Sequence, residues 1–343
     1  MHAKSMSAQL VALLLSLSQL LSLPAAEAAA PKRSAEAEAA FVDEVHGKYG
    51  VPKDVLRRGL ADARYQQSII DAITRPAESM PWSKYRPIFM NDKRIQGGRD
   101  FLRENRELLL SVERDTGVPA SIIVAIIGVE TNYGSITGKY RVLDALYTLG
   151  FHYPKRAEFF RSELGHLFAL ANEEHVDPNS VMGSYAGAMG WGQFMPSSYR
   201  AYAKDGDGDG DRDLWTSKDD IFRSIANYFV AHKWRAGEPV AEPAVRAPGA
   251  AALNAGNKNL KPDLDLAKLG ERGYRPKEAM GRDWPANLIT LEGDTGPEYW
   301  ITFHNFYVIS RYNRSPLYSL AVYQLAQAIA AGDPANGGPV AAQ

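Results

Sequence analysis

Hydrophobic residues recur every three or four positions along most of the chain, and this spacing predicts amphipathic helices. Short helices are predicted over 39–65, where a Gly-Val-Pro step at 50–52 stops one helix and starts the next. The segment 97–117 predicts one strong helix that ends at Gly117. The stretch 75–89 is rich in proline and aromatic residues and is predicted to be a loop.

Further helices are predicted over 119–130, 156–175, 218–234 and 315–331. The stretch 238–303 differs, because proline and glycine separate short runs of β-forming residues there. The chain is therefore predicted to be mainly α, with a small β-containing subdomain inserted late. The predicted divisions are an N-terminal helical region at 39–96, a central helical core at 97–237, the β subdomain at 238–303 and a C-terminal helical segment at 304–332.

The N-terminus has a composition of its own. A cationic start is followed by a leucine-rich run of 14 residues and then by small residues with A-x-A spacing. This order predicts a secretory signal peptide over 1–28, cleaved after Ala28, and a flexible lead over 29–38. A signal segment that stays uncleaved as a membrane tether is the alternative. Residues 333–343 are predicted to be a tail.

Composition narrows the classes of function. The 343 residues carry 39 Lys and Arg against 40 Asp and Glu, a formal net charge of −1, so no global field attracts nucleic acid. The absence of cysteine removes disulfides, thiolate metal sites, a cysteine nucleophile and a lipid-modified cysteine. The sequence has no HExxH motif, no G-x-S-x-G elbow and no P-loop, which disfavours the corresponding zinc, serine and nucleotide enzymes.

One acidic residue, Glu130, ends an apolar run that begins at Ser121. It lies four residues after Ile126 and continues the helix face that the pattern assigns to the core. It also lies at the C-terminal end of the helix, with Gly134 as the expected cap, where the dipole disfavours negative charge. Burial and the dipole both raise a carboxyl pKa, as a general acid requires. A buried structural glutamate, bonded to backbone or to an arginine, fits the same pattern.

The segment 183–199 combines four glycines with aromatic residues. This combination lets the backbone approach a ligand that aromatic faces line, and Ser184 and Gln193 add neutral hydrogen-bonding groups. Neutral polar groups beside aromatics suit a sugar with amide substituents better than a phosphate. A glycine-rich packed turn is the alternative. A tyrosine cluster that includes Tyr312 and Tyr318 fits either sugar-stacking platforms or an ordinary aromatic seam.

Residues 205–219 carry aspartates at alternating positions, as in a calcium loop of the EF-hand type. A register that begins at Asp205 places Gly210 at the sixth position. The twelfth position is Thr216, which has no carboxylate, so a later aspartate is predicted to close a longer loop. A solvated acidic loop without an ion is the alternative. The predicted ligands of a structural Ca²⁺ are Asp205, Asp207, Asp209, Asp211 and Asp219.

Several motifs occur together in one order: "IIGVETNYG", "FHYPKRAEFF", "GSYAGAMGWGQFMPSSY", the aspartate loop, "IANYFVAHKW" and "RYNRSPLYSLAV". In this order they closely resemble the B-type lytic murein transglycosylases of Gram-negative bacteria. The resemblance implies a lysozyme-like helical core, a periplasmic location and no catalytic cofactor. It also implies cleavage of the β-1,4 bond between N-acetylmuramic acid and N-acetylglucosamine in peptidoglycan.

The reaction that the resemblance implies uses a single carboxyl group. Glu130 protonates the leaving oxygen, the carbon-6 hydroxyl of the muramic acid attacks its own anomeric carbon, and the carboxylate accepts that hydroxyl proton. The substrate supplies the nucleophile, so the usual second carboxylate is not needed. The implied substrate contacts are Ser184, Gln193, Tyr228, Tyr312, Asn313 and Tyr318, with Lys155 and Arg156 as cations near the cleft.

Two other functions stay open at this level. A hydrolytic muramidase would use the same acid with a water that a second carboxylate activates, and no second carboxylate stands out in the sequence. A non-catalytic peptidoglycan-binding protein is the alternative from a different class. The chain is expected to act as a monomer on glycan strands, with other cell-wall enzymes as further partners.

Overall fold

The computed structural model describes residues 33–74, 80–253 and 257–332. The predicted signal peptide, the first residues of the predicted lead and the predicted tail lie outside these ranges. Within them, every helix is too short or too polar to cross a bilayer.

The N-terminal region begins with three short helices, α1 (Ala35–Tyr49), α2 (Lys53–Asp62) and α3 (Gln67–Thr74). Gly50 adopts a left-handed φ of 72° and ends α1, as the predicted stop requires. The Ser34 hydroxyl accepts a hydrogen bond from the N–H of Ala37 and caps α1. Because that cap starts the helix at Ala35, the prediction of a flexible lead is wrong from that residue onward.

The proline-rich stretch that was predicted as a loop contains a helix, α4 (Trp82–Phe89). Pro87 removes one backbone donor from its last turn. The Trp82 ring is fully buried, and its N–H donates to Glu298 Oε2 at 3.2 Å. Tertiary packing therefore overrides the local proline signal, and the loop prediction is wrong here.

The single helix predicted over 97–117 is wrong, because the chain forms α5 (Asp92–Glu104) and α6 (Arg106–Thr116). Asn105 separates them. Its amide donates to the Phe101 carbonyl at 2.8 Å, and its Oδ1 accepts from Lys218 Nζ at 2.7 Å. A side chain that bonds both the backbone and another helix holds the chain in this break.

The centre of the core is α7 (Ala120–Thr131), which is buried from Ile122 to Gly128. It lacks a polar face, so neighbouring helices surround it. Its surroundings include α8 (Val142–His152), the 3₁₀ turn Pro154–Arg156, α9 (Ala157–Glu173), α10 (Pro196–Tyr202) and α11 (Lys218–Ala231). A two-residue antiparallel pair joins β1 (Tyr140–Arg141) to β2 (Met182–Gly183).

The elements of the predicted β subdomain are β3 (Ala241–Arg246), β4 (Leu264–Asp265), α12 (Leu266–Glu271), β5 (Tyr274–Pro276), β6 (Pro285–Glu292) and β7 (Pro297–Thr302). The strands form an antiparallel five-stranded sheet with the order β4-β6-β7-β3-β5. The chain then returns to the core through α13 (His304–Ile309) and α14 (Pro316–Ala330). The described residues therefore confirm a mainly α chain with a small β subdomain.

Candidate active site

Glu130 lies in the last turn of α7, and its side chain is half-buried. Ile122 and Ile126, on the same helix face, are almost fully buried. The helix ends one residue after Glu130, and Asn132 caps it with a left-handed φ of 51°. The predicted cap, Gly134, is therefore wrong, because asparagine also tolerates this conformation and comes first.

Among the described residues, the Glu130 carboxyl has one hydrogen-bond partner, the hydroxyl of Tyr318 on α14, which donates to Oε1 at 2.5 Å. Burial raises the pKa of Glu130 to about 7, and the hydrogen bond from Tyr318 opposes that rise in part. In the described part of the chain no Lys, Arg or His forms an ion pair with this carboxyl. A buried glutamate paired with arginine, one of the alternatives, does not fit this geometry.

Three tyrosines form a wall beside the carboxyl. The Tyr312 hydroxyl donates to the Gly192 carbonyl at 2.7 Å, and its ring centre lies 4.7 Å from that of Tyr228. Burial raises the pKa of Tyr312 and Tyr318, and the charge of Glu130 adds to both shifts. The hydroxyls of Tyr312 and Tyr318 therefore lie close enough to the Glu130 carboxyl for its charge to act on both of them.

The glycine-rich segment packs directly on the end of α7. Thr131 Oγ1 donates to the Trp191 carbonyl at 2.9 Å. A Cβ on Gly134 would lie 2.5 Å from the Trp191 indole, so the two segments approach more closely than any larger residue allows. The two motifs that the sequence separates by about 60 residues therefore meet at the carboxyl.

The predicted polar contacts of this segment have defined partners. Ser184 Oγ accepts from the N–H groups of Ala186 and Ala188 at 3.2 and 3.0 Å, so it shapes the turn. Gln193 Nε2 donates to the carbonyls of Thr137 and Gly190 at 3.1 and 2.9 Å. Those bonds fix the amide and leave Oε1 as the acceptor that a ligand can use. Contact of either residue with a sugar stays a prediction.

Three predicted contacts lie on the surface. Asn313 is exposed, and its Oδ1 accepts from the N–H of Ser315 at 3.2 Å, at the start of α14. Lys155 and Arg156 are exposed in the 3₁₀ turn. The Arg156 guanidinium lies 4.4 Å from the Phe159 ring centre, and no contact joins either cation to the carboxyl site within the described ranges.

One of the tyrosines near the site was not predicted from the sequence. Tyr85 on α4 lies close enough to Tyr318 to contribute to the raised pKa of that hydroxyl. It falls in the stretch that was predicted as a loop, so no helix face pointed to it. The aromatic spacing of Trp82, Tyr85 and Phe89 was the available signal, because neighbouring rings of this set contact each other along one side of α4.

The aspartate loop brings three carboxylates together. One oxygen from each of Asp205, Asp207 and Asp209 lies within 4.8 Å of the others. Asp211 and Asp219 are not in this group, which differs from the predicted five ligands. The seventh residue of such a loop offers its backbone carbonyl, so Asp211 need not turn inward. The Asp219 carboxylate lies 3.8 Å from Arg223 Nε instead.

Asp220 is a further residue that the sequence did not single out. It is almost fully buried and accepts from the N–H groups of Gly206 and Asp213, at 2.7 and 2.6 Å. It therefore ties Gly206 and Asp213, near the beginning and the middle of the aspartate loop, to the first turn of α11. A loop closed in this way, with oxygen donors only, fits a hard cation such as Ca²⁺.

Comparisons with known proteins agree on one family. The family model described as "Transglycosylase SLT domain" matches residues 34–327. A curated relative, "Membrane-bound lytic murein transglycosylase B" of Escherichia coli (strain K12), is 40% identical over 301 residues. That alignment covers 84% of this chain and 81% of the relative.

Solved structures support the same relationship. Soluble lytic transglycosylase SltB1 from Pseudomonas aeruginosa is 48% identical, with a TM-score of 0.79 over 88% of this chain and 100% of that one. The Escherichia coli lytic transglycosylase Slt35 in complex with calcium is 39% identical, with a TM-score of 0.77 over 88% and 93% of the two chains. These similarities confirm the lysozyme-like helical fold that the sequence predicts.

Proposed function

Because the chain belongs to the transglycosylase SLT family and, within it, to the B-type lytic murein transglycosylases, we propose that Glu130 alone serves as its general acid and then its base. The protein is a peptidoglycan lytic transglycosylase. The observation that carries the proposal is the half-buried carboxyl that one tyrosine hydroxyl holds, with a pKa raised to about 7.

The first step needs a protonated carboxyl. Burial keeps Glu130 protonated up to neutral pH, and the proton passes to the glycosidic oxygen as its bond to the anomeric carbon of muramic acid breaks. Tyr318 occupies Oε1, so Oε2 is the oxygen that faces the leaving group. The aromatic wall of Tyr228 and Tyr312 then lines the saccharide.

The second step reverses the role of the carboxyl. The carbon-6 hydroxyl of the muramic acid forms a bond to its own anomeric carbon, and Glu130 accepts the hydroxyl proton. The product is a 1,6-anhydro end, no water is consumed, and the enzyme returns to its starting protonation state. The Tyr318 hydroxyl stabilises the carboxylate between the two steps, because a hydrogen bond to a charged group is stronger than one to a neutral group.

The other buried carboxyls favour transglycosylation over hydrolysis. Glu163 accepts from Ser197 N–H and Oγ at 2.9 and 2.7 Å, and Asp144 accepts from Arg64 N–H at 2.8 Å. Asp220 closes the aspartate loop. In the described ranges, each almost fully buried carboxylate is thus engaged by structural hydrogen bonds rather than poised to activate water.

A structural ion and an envelope location complete the proposal. Asp205, Asp207 and Asp209 would hold Ca²⁺, which would stabilise the loop and take no part in the reaction. The calcium complex of Slt35 supports that choice of ion. The enzyme would act in the periplasm on glycan strands, where Ser184, Gln193 and Asn313 would contact the sugars, and Lys155 and Arg156 the carboxylates of the strand.

Mass spectrometry of muropeptides released from purified murein tests the reaction and the acid together. The wild-type protein should release products one water lighter than hydrolysed ones, and Glu130→Gln should release none. Glu163→Gln is the matched control, because Glu163 is also buried with a raised pKa but is bonded to Ser197. Its products should equal those of the wild type. Hydrated reducing ends would indicate a muramidase, and full activity of Glu130→Gln would refute the assigned acid.

A further inference from the structure

A buried arginine contacts α7, the helix that carries Glu130. Arg94 on α5 is 7% exposed, and its guanidinium donates to the carbonyl of Gly128, two residues before Glu130. Burial lowers the pKa of Arg94, and in the described part of the chain no carboxylate forms an ion pair with it. The ring centre of Phe89 lies 5.7 Å from the guanidinium. Burying a cation without a carboxylate partner costs free energy, so the bond from Arg94 to the Gly128 carbonyl calls for an explanation.

The acceptor of that bond belongs to the C-terminal turn of α7. The Gly128 carbonyl also accepts from the N–H of the cap residue Asn132 at 3.2 Å. Carbonyls at this end of a helix carry the negative end of its dipole, so a guanidinium is a suitable partner for them. Arg94 therefore fixes the backbone on the N-terminal side of Glu130.

A second hydrogen bond joins the chain on the C-terminal side of Glu130 to Arg94. Tyr133 has a left-handed φ of 60°, which is uncommon for an aromatic residue, and its hydroxyl donates to the Arg94 carbonyl at 2.6 Å. Its ring fits a slot between α5 and α7. A Cβ on Gly128 would lie 2.7 Å from the ring, and a Cβ on Gly98 would lie 2.6 Å from the hydroxyl.

We propose that Arg94 and Tyr133 are positioning residues that clamp the last turn of α7 and thereby aim the Glu130 carboxyl at the substrate. The clamp holds the backbone two residues before and three residues after Glu130 against one position of α5. The carboxyl can then meet Tyr318 at 2.5 Å without adjustment during the reaction. This inference rests on the proposed role of Glu130.

Tyr133→Phe tests the clamp with the smallest change, because only the hydroxyl is lost. With soluble, peptide-free glycan strands from murein as substrate, kcat should fall about 10- to 100-fold, and KM should change less than about twofold. Tyr147→Phe is the matched control, because Tyr147 is a buried tyrosine of the same core that also donates its hydroxyl, to Glu38 at 2.8 Å. That variant should keep the wild-type kcat at a comparable loss of melting temperature.

Arg94→Lys and Arg94→Met provide the second arm. Lysine keeps the charge and one donor, so Arg94→Lys should retain more kcat than Arg94→Met, and a merely structural role predicts that both lose activity in proportion to melting temperature. Equal kcat for Tyr133→Phe and Tyr147→Phe would overturn the clamp even if Arg94→Met fails to fold. Glu130→Gln in the same assay distinguishes the proposed acid from the proposed clamp. Full activity of Glu130→Gln would refute Glu130 as the acid. An inactive Glu130→Gln together with a fully active Tyr133→Phe would refute only the clamp.

Discussion

At the scale of single residues, two opposing effects set the protonation state of Glu130. Burial favours the neutral carboxyl and raises its pKa to about 7, whereas the hydroxyl of Tyr318 favours the carboxylate. A carboxyl whose folded pKa exceeds its ordinary value costs stability as pH rises from the ordinary value, 4.5, to about 7. An ionised Glu130 therefore lowers the stability of the fold, and the proposed reaction uses both the neutral and the ionised form.

The fall of activity at alkaline pH, here called the alkaline limb, should depend on the pKa of Glu130. We expect kcat/KM of the wild type to fall as pH rises through about 7, because the free enzyme must carry a protonated acid. Tyr318→Phe removes the bond that lowers the pKa of Glu130, so the limb should move upward by about one to two pH units. The rate on the acid side should also fall, because the carboxylate formed in the first step loses its donor.

Tyr323→Phe is the control for that measurement. Tyr323 lies on the same helix, α14, and its hydroxyl accepts from Gln327 Nε2 at 3.0 Å rather than contacting Glu130. Its pH profile should match the wild type. If the alkaline limb of Tyr318→Phe stays in place or moves to lower pH, the Tyr318 hydroxyl does not lower the pKa of Glu130.

At the scale of elements, the sequence indicates most helices but not where tertiary contacts interrupt them. Gly50 and Gly117 end helices as predicted, because a glycine with positive φ is a local signal. The break at Asn105 depends on Lys218, which lies 113 positions away, and α4 depends on the burial of Trp82. Distant partners of this kind leave no periodic trace in the sequence.

The sequence likewise predicts the active site only in part, because distant contacts complete it. The apolar run that ends in Glu130 indicates an unusual carboxyl, because its position conflicts with the hydrophobic pattern. The resemblance to a family implied Tyr318 as a substrate contact, but its bond to Glu130 spans 188 positions and was not predicted. Tyr133 was not predicted at all, because its role arises from a slot between two helices rather than from spacing.

The aspartate loop yields a prediction at this scale. Saturating Ca²⁺ at about 100 times Kd should stabilise the protein by about 2.7 kcal/mol, or about 5–10 °C in melting temperature, and a chelator should remove that gain. Asp207→Asn should abolish most of the calcium-dependent shift, because Asp207 is one of the three clustered carboxylates. Melting curves with and without chelator measure the effect.

Asp211→Asn is the matched control, because Asp211 lies in the same loop but outside the cluster. It should keep most of the calcium-dependent shift. A loss as large as that of Asp207→Asn would make Asp211 a side-chain ligand, as the sequence predicts, and the absence of any calcium effect on either variant would argue against an ion site.

At the scale of the whole molecule, the described residues form two hydrophobic cores of unequal size. The main core joins the N-terminal helices to α7 and α14 and includes Ile289 and Leu291 of the sheet. The smaller core lies between α12 and the sheet and contains Leu269 and Tyr274. The chain enters and leaves the sheet at adjacent positions, because the N–H of Phe303 donates to the Val240 carbonyl at 2.9 Å. We therefore expect the small core to unfold locally while the helices around Glu130 stay folded.

Equivalent truncations in the two cores should have different consequences. Leu109 and Leu269 are both fully buried, so replacing either with alanine removes the same apolar volume, at a cost of about 2–5 kcal/mol. Leu109→Ala should lower the main melting transition and weaken activity, because it loosens the core around α7. Leu269→Ala should instead give a separate, earlier transition and faster amide hydrogen exchange in β4, β5 and α12, with Glu130-dependent activity retained. One shared transition with equal loss of activity in both variants would show that the sheet and the helical core unfold as a single cooperative unit.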